Sequence, residues 1–211
     1  MTATADTARW DARYATDDYV FGTAPNAFLA AQAHRLRPGM HALAVADGEG
    51  RNGVWLAGQG LRVLSVDASA VGLEKAARLA AAHGVRIDTE LADLSAWDWG
   101  SERFDLIAAI FIQFAGPALR EAMFAGMRRA LRPGGLLLLQ GYRTAQIGYG
   151  TGGPAQAENL YEEALLREAF AGMEILHLHS HDSVIEEGSG HRGMSALIDL
   201  VARKPPSAPA A

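Results

Sequence analysis

From His41 onward the chain alternates short apolar runs with alanine- and leucine-rich stretches, and no other feature narrows its fold as far. A strand buried on both faces reads as a continuous apolar run, and parallel strands need a crossover between them. The alternation therefore predicts a parallel sheet covered by helices. The predicted strands are 42–46, 62–66, 86–90, 105–110 and 136–141. In the crossover after the second, Ser69 caps a helix whose face is Leu73, Ala76, Ala77 and Ala80, with Gly84 just past its end. A later helix, 117–131, stops at Arg132-Pro133-Gly134-Gly135, where proline and glycine forbid continuation. The pattern then changes. A helix at 161–170, a β-like run at 174–182, the polar turn Glu186-Glu187-Gly188-Ser189-Gly190 and a second run at 194–202 predict an antiparallel hairpin. Residues 1–40 read as a helical cover and 205–211, with Pro205, Pro206 and Pro209, as a flexible tail, so the expectation is one α/β domain over 1–204.

The 211 residues suffice for one such domain, and 49% hydrophobic with 20% charged residues excludes a disordered chain. Nineteen basic against 24 acidic side chains leave a formal charge of −5, not the basic field that nucleic acid attracts, so no nucleic-acid partner is expected. The longest purely apolar stretch, 106–112, is far too short to span a bilayer, and the polar start of the chain does not read as a secretory signal; the expectation is a cytoplasmic protein with no membrane partner. With no cysteine, disulfides, thiolate zinc sites and a cysteine nucleophile are excluded together.

The first predicted strand runs straight into Asp47-Gly48-Glu49-Gly50-Arg51-Asn52-Gly53, which satisfies G-x-G-x-x-G. Glycines there let backbone approach a ligand closely, and the following helix presents unpaired N–H groups. Alone the pattern serves a structural turn equally well. The next strand, however, ends at Asp67, near the spacing of a carboxylate that accepts ribose hydroxyls. Dinucleotides and S-adenosylmethionine both fit a glycine turn with a ribose acid. A pyrophosphate opposes the acidic Asp47 and Glu49, whereas the cationic amino and sulfonium groups of S-adenosylmethionine suit them better. After the third strand, Ala92-Asp93-Leu94 stands where an adenine ring would lie. A nicotinamide-dependent reductase and a non-catalytic cofactor-binding sensor remain the alternatives to a methyl-transfer enzyme.

Asp-Gly-Glu-Gly-Arg-Asn at 47–52, Val-Asp-Ala-Ser at 66–69, Ala-Asp-Leu at 92–94, Phe-Asp-Leu-Ile at 104–107 and Leu-Arg-Pro-Gly-Gly at 131–135 together resemble the class I S-adenosylmethionine-dependent methyltransferases, over about 40–203. Within them the chain looks most similar to the tellurite-resistance and thiopurine S-methyltransferase group, through Trp10-Asp11-Ala12-Arg13-Tyr14, Phe21-Gly22, Pro25-Asn26 and Tyr149-Gly150-Thr151-Gly152-Gly153-Pro154. The resemblance implies a Rossmann-like three-layer sandwich with a seven-stranded sheet of order 3-2-1-4-5-7-6, strand 7 antiparallel, and S-adenosylmethionine across the strand ends. It implies that Gly48 and Gly50, with Glu49 and Asn52 in the same turn, line the methionine moiety, that Asp67, Ala68 and Ser69 hold the ribose, that Ala92, Asp93 and Leu94 frame adenine, and that Ile110 offers a carbonyl to the amino group. Where most members carry an acid, this chain has Ala44, and Asp47 is the candidate to supply that carboxylate from the loop. Arg13 and Tyr19 are candidates to reach the cofactor from the cover.

Methyl transfer from a sulfonium is an in-line displacement, and a soft nucleophile such as a thiol or chalcogen compound needs mainly alignment and desolvation. Should an acceptor need a base, His181, His191 and Tyr142 are the candidates, and Phe114, Tyr142, Arg143, Tyr149 and His191 are expected to wall the pocket of a small soluble acceptor. His177, His179 and His181 share one strand face, but strand neighbours two apart chelate poorly unaided, so no metal is expected. Monomer and homodimer are both open.

Overall fold

The computed structural model describes residues 5–207; Met1 to Thr4 of the expected cover and 208–211 of the expected tail lie outside the described residues. The cover contains α1 (Ala5–Tyr14) and the short α2 (Ala27–Ala31), the latter started by Asn26, whose side chain accepts from the Leu29 N–H. Then follow β1 (His41–Val45), α3 (Arg51–Gly58), β2 (Arg62–Asp67), α4 (Ala70–Ala82), β3 (Asp88–Leu91), β4 (Phe104–Ile110), α5 (Pro117–Ala130), β5 (Leu131–Tyr142), α6 (Gln146–Tyr149), α7 (Glu163–Ala169), β6 (Glu174–Glu187) and β7 (His191–Arg203). The sheet order is β3-β2-β1-β4-β5-β7-β6, with β7 antiparallel to both neighbours, the seven-stranded topology expected. Among the described residues no helix is long and apolar enough to cross a membrane.

Alternate residues of the central strands feed two cores, as the period of two requires. On one face Leu43, Ile107, Leu137 and Leu200 pack under Met123, Phe124 and Met127 of α5 and Leu166 of α7. On the other, Ala42, Leu106, Leu138 and Val201 meet Phe28 and Leu29 of α2 and Leu56 of α3. The Ser69 cap forms as expected, its side chain accepting from the Gly72 N–H, and Gly84 adopts φ +65° just past α4.

Several boundaries differ from the sequence expectation, α7 among them at Glu163–Ala169 instead of 161–170, and three differences have a clear physical cause. β3 starts two residues late and is exposed throughout, because it is an edge strand pairing with β2 alone. α5 ends at Ala130, and Leu131 already pairs with Phe104; the Pro-Gly segment is absorbed as an irregularity inside β5. The hairpin is longer than predicted. Glu186 and Glu187 belong to β6, Glu187 faces His191 across the ladder, and only 188–190 turn. That tip folds onto the cover: Gly190 N–H donates to the Val20 carbonyl at 3.0 Å, and a Cβ on Gly188 would lie 2.4 Å from the same oxygen.

Candidate functional site

The ends of β1 and β4 diverge at the topological switch point, the place where open α/β sheets hold ligands. The residues just beyond both strands, Ala46 (φ +49°) and Phe111 (φ +55°), take the left-handed backbone that side chains rarely adopt, and both line the resulting cavity. After β1 the glycine turn brings backbone against protein. A Cβ on Gly50 would sit 2.4 Å from Ala76 Cβ, so this glycine sets how closely the turn approaches α4, and one on Gly53 would sit 2.4 Å from Asp47 Oδ2, so that glycine lets α3 close on the Asp47 carboxylate.

Asp67 closes β2 and is 6% exposed. One carboxylate oxygen accepts from Gly48 N–H at 2.7 Å and the other from Ser69 N–H at 2.8 Å. A carboxylate has about four acceptor sites, so capacity remains for a ligand hydroxyl. Burial pushes the Asp67 carboxyl upward, and the backbone N–H bonds oppose that shift.

The two other acids of the turn line the same cavity, and each has protein partners of its own. Asp47 is held by Ser65 Oγ and by Gly53 N–H at 3.1 Å, and burial lifts its carboxyl to about 7. Glu49 pairs with Lys75 at 2.5 Å, both side chains 2% exposed. Lys75 Nζ also donates to the carbonyls of Tyr14, Thr16 and Asp18, so the pair clamps the cover onto α4.

Two adjoining chambers open here. The first, about 360 Å³, is lined by Asp67, Ala68, Asp93, Leu94, Ile110 and Asn52, and by Trp10 and Tyr14 from the cover. The second, about 430 Å³, is lined by Arg13, Gln113, Tyr142 and the segment 152–156. Trp10, Phe21, Phe111, Phe114 and His191 face both. The His191 ring lies 4.5 Å from Phe21, 4.3 Å from Phe111 and 5.8 Å from Tyr142, centre to centre. Its Nδ1 is buried without a hydrogen-bond partner, 4.0 Å from Glu187 Oε2. Burial lowers the basicity of His191, against the opposing pull of Glu187. Burial also pushes the Glu187 carboxyl up, but His191 and Arg51 beside it outweigh that and hold it at about 2. Arg51 reaches Glu187 at 2.6 Å, and Asn26 Nδ2 donates to the other oxygen at 2.9 Å.

The structure thus brings Asp67, Ala68, Asp93, Leu94, Asn52 and Ile110 together, and His191, Phe114 and Tyr142 beside them. Others go elsewhere. Tyr19 donates to the Lys75 carbonyl at 3.0 Å and packs its ring on that side chain, so it braces the cover away from the cavity. Arg13 stacks over Phe21 and lines the second chamber rather than the first. Ser69 is consumed in capping α4 and bonding Asp11. Arg143 pairs with Asp182 and donates to the Leu197 carbonyl, stapling β5 to the hairpin, and Tyr149 is a surface residue 40% exposed. His181 bonds Asp199 and Ser183 on the outer strand, outside both chambers. Sequence reasoning missed Arg51, Phe111, Tyr14 and Glu187. Arg51 lies inside the glycine motif and Phe111 directly follows Ile110, and those positions were their signal.

Residues 42–135 match the family model described as a methyltransferase domain. The match spans a little under half of the chain, and this segment resembles a methyltransferase domain. The cofactor of its fold class is S-adenosylmethionine, and the residues present fit that group: the remaining acceptor capacity of Asp67, the free carboxylate oxygen of Asp93, whose other oxygen accepts from Ser95 N–H, and an apolar wall of Leu94 and Ile110. Solved structures share the fold of this chain. One reported under the conversion of a disulfide bond into a thioacetal group during echinomycin biosynthesis superposes with a TM-score of 0.76 at 21% identity, covering 96% of this chain and 94% of that one. TehB from Haemophilus influenzae gives 0.72 at 21% identity, over 86% of this chain and 63% of its own. The N-methyltransferase NodS from Bradyrhizobium japonicum, in complex with S-adenosyl-L-homocysteine, gives 0.70 at 15% identity, over 94% and 98%. A search of curated protein sequences returns no match.

Proposed function

We propose that this chain transfers the methyl group of S-adenosylmethionine to a thiol or chalcogen nucleophile on a small soluble acceptor, as a cytoplasmic enzyme of the tellurite-resistance and thiopurine methyltransferase type. The observation that carries the reading is His191 in the wall common to both chambers, with an ionised Glu187 behind it. When bound, S-adenosylmethionine supplies a methyl group made electrophilic by its sulfonium. The first chamber orients it through Asp67, Asp93 and Leu94, and the second takes the acceptor. Phe21, Phe111 and Phe114 exclude water at the junction, which strips solvation from an attacking sulfur. The Glu187 carboxylate favours the His191 tautomer with its proton on Nδ1. That leaves Nε2 bare to accept the acceptor's proton, and Glu187 then stabilises the imidazolium. The echinomycin enzyme's sulfur chemistry and the likeness to TehB support the acceptor class.

The test is a mass-spectrometric screen for methylated product over thiols, selenide, tellurite, amines and phenols, run with the native protein and with His191→Asn. Thiol or chalcogen methylation is expected, with His191→Asn slower at neutral pH by about 100-fold and recovering above about pH 8.5, where a thiol ionises unaided. Because burial lowers the basicity of His191, the acid limb of native kcat/KM should lie below the ordinary imidazole value of 6.5. Turnover of amines or phenols alone would overturn the acceptor class, and a pH-independent His191→Asn defect would overturn the proton-accepting role.

A further inference from the structure

The outer strand of the hairpin carries a second cluster that methyl transfer does not use. His177, His179 and His181 alternate along β6 and point to one face, where His179 is directly opposite Asp199 of β7. Their rings follow one another at 5.9 and 5.1 Å, the second pair nearly parallel. A nitrogen of His177, a nitrogen of His179 and a carboxylate oxygen of Asp199 all lie within 4.8 Å of one another. Two imidazoles spaced along a strand are poor chelators, but a cross-strand carboxylate gives them a third donor at the same point. This is the element that the local spacing of the histidines did not contain.

Asp199 is itself unusual. It is 8% exposed, and among the described residues no lysine or arginine pairs with it. Gln140 Nε2 donates to one oxygen at 2.6 Å, and His181 Nε2 lies 3.1 Å from the other. His181 is fixed in turn by Ser183 Oγ at 2.8 Å from its Nδ1. With an amide on one oxygen and an imidazole on the other, the orientation of this buried carboxylate is locked from behind, as outer-shell partners lock the ligands of a metal.

We propose that His177, His179 and Asp199 form a binding site for a divalent cation of the zinc type, with Gln140 and His181 as the groups that orient Asp199. Nitrogen and oxygen donors without thiolate suit zinc and its late first-row neighbours rather than magnesium or calcium. Three protein ligands leave a fourth position to water. Zinc bonds of about 2.0–2.2 Å place tetrahedral donors roughly 3.4 Å apart, so the donors must close by about 1.5 Å, and the two histidines that would move are exposed. The ion would tie the outermost strand of the sheet to β7. This site stands whether or not the acceptor assignment holds.

The experiment is a calorimetric titration of zinc chloride into the full chain, prepared without a polyhistidine tag and freed of metal, with cobalt(II) absorption reporting the ligand set. One equivalent is expected to bind saturably and to raise the melting temperature. His177→Ala and His179→Ala, both exposed positions that leave the core intact, should each weaken binding by about 10- to 100-fold and abolish the melting shift. Asp199→Asn should weaken it similarly, and His83→Ala, at the far end of α4, should leave it unchanged. Magnesium should not compete. Absence of saturable binding, or binding retained in both histidine variants, would overturn the site; the latter would mark adventitious uptake by scattered surface histidines.

Discussion

Replacing Glu187 with Gln tests the core of the site, because the same carboxylate holds Arg51 and Asn26 and stands behind His191. Its folded-state ionisation at about 2, against an ordinary 4.5, is a depression of roughly 2.5 units, and at about 1.4 kcal/mol per unit it contributes about 3 kcal/mol. The side chain is 10% exposed, so solvent screening takes little of this away. A second route gives a similar size: Gln strands the Arg51 guanidinium, 8% exposed, and breaking a buried pair costs about 3–5 kcal/mol. For a chain of this length that is a fall in Tm of about 6–12 °C.

The sign with pH is fixed as well. A carboxylate whose folded value is depressed contributes stability that is full above its unfolded value and is lost as pH falls through the folded one. The advantage of the native protein over Glu187→Gln should therefore be complete at neutral pH, begin to shrink below about pH 4.5, be reduced by about 1 kcal/mol near pH 3.5 and vanish toward about pH 2. Urea unfolding followed by tryptophan fluorescence at both ends of this range measures it. A difference below about 1 kcal/mol at neutral pH, or one that does not change down to about pH 3.5, would refute the assignment of an ionised, paired Glu187.

Two further outcomes follow from the same geometry. Asp67→Asn should retain the fold while lowering affinity for S-adenosylhomocysteine by about 100-fold or more in calorimetry, since hydrogen bonds to a charged acceptor are worth about 1.5–3 kcal/mol each; a loss under about threefold would remove the ribose role. Lys75→Met leaves Glu49 buried and unpaired and releases the carbonyls of Tyr14, Thr16 and Asp18. Hydrogen exchange should then accelerate across the cover segment, and unchanged protection there would show that Lys75 does not clamp it.

The central strands were legible because burial on both faces writes itself as local apolar runs, and α4 because Ser69 and Gly84 mark its ends. Asp67 was legible because its distance from the glycine turn is set by one crossover helix. What was illegible depends on pairing across the fold. Arg51 and Glu187 are 136 residues apart, and nothing local distinguishes Glu187 from Glu186, which points away one residue earlier. The partner of Glu49 was illegible for the same reason: Lys75 comes from the middle of α4, beyond a whole strand and helix. Among the histidines, His181 and His191 sit in one hairpin, but the tight three-residue tip sends only His191 to the cavity.

Glu49 and Arg51 flank Gly50 and carry opposite charges in opposite directions. Through Lys75, Glu49 holds the cover segment 14–18, and it accepts from Phe21 N–H at 3.3 Å; through Glu187, Arg51 holds the end of the hairpin that delivers His191. Cover and hairpin tip also bond each other at Val20 and Gly190. The glycine turn therefore anchors both elements that wall the two chambers, each through a buried ion pair. Because breaking either pair leaves a charge stranded away from water, the enclosure resists piecemeal opening.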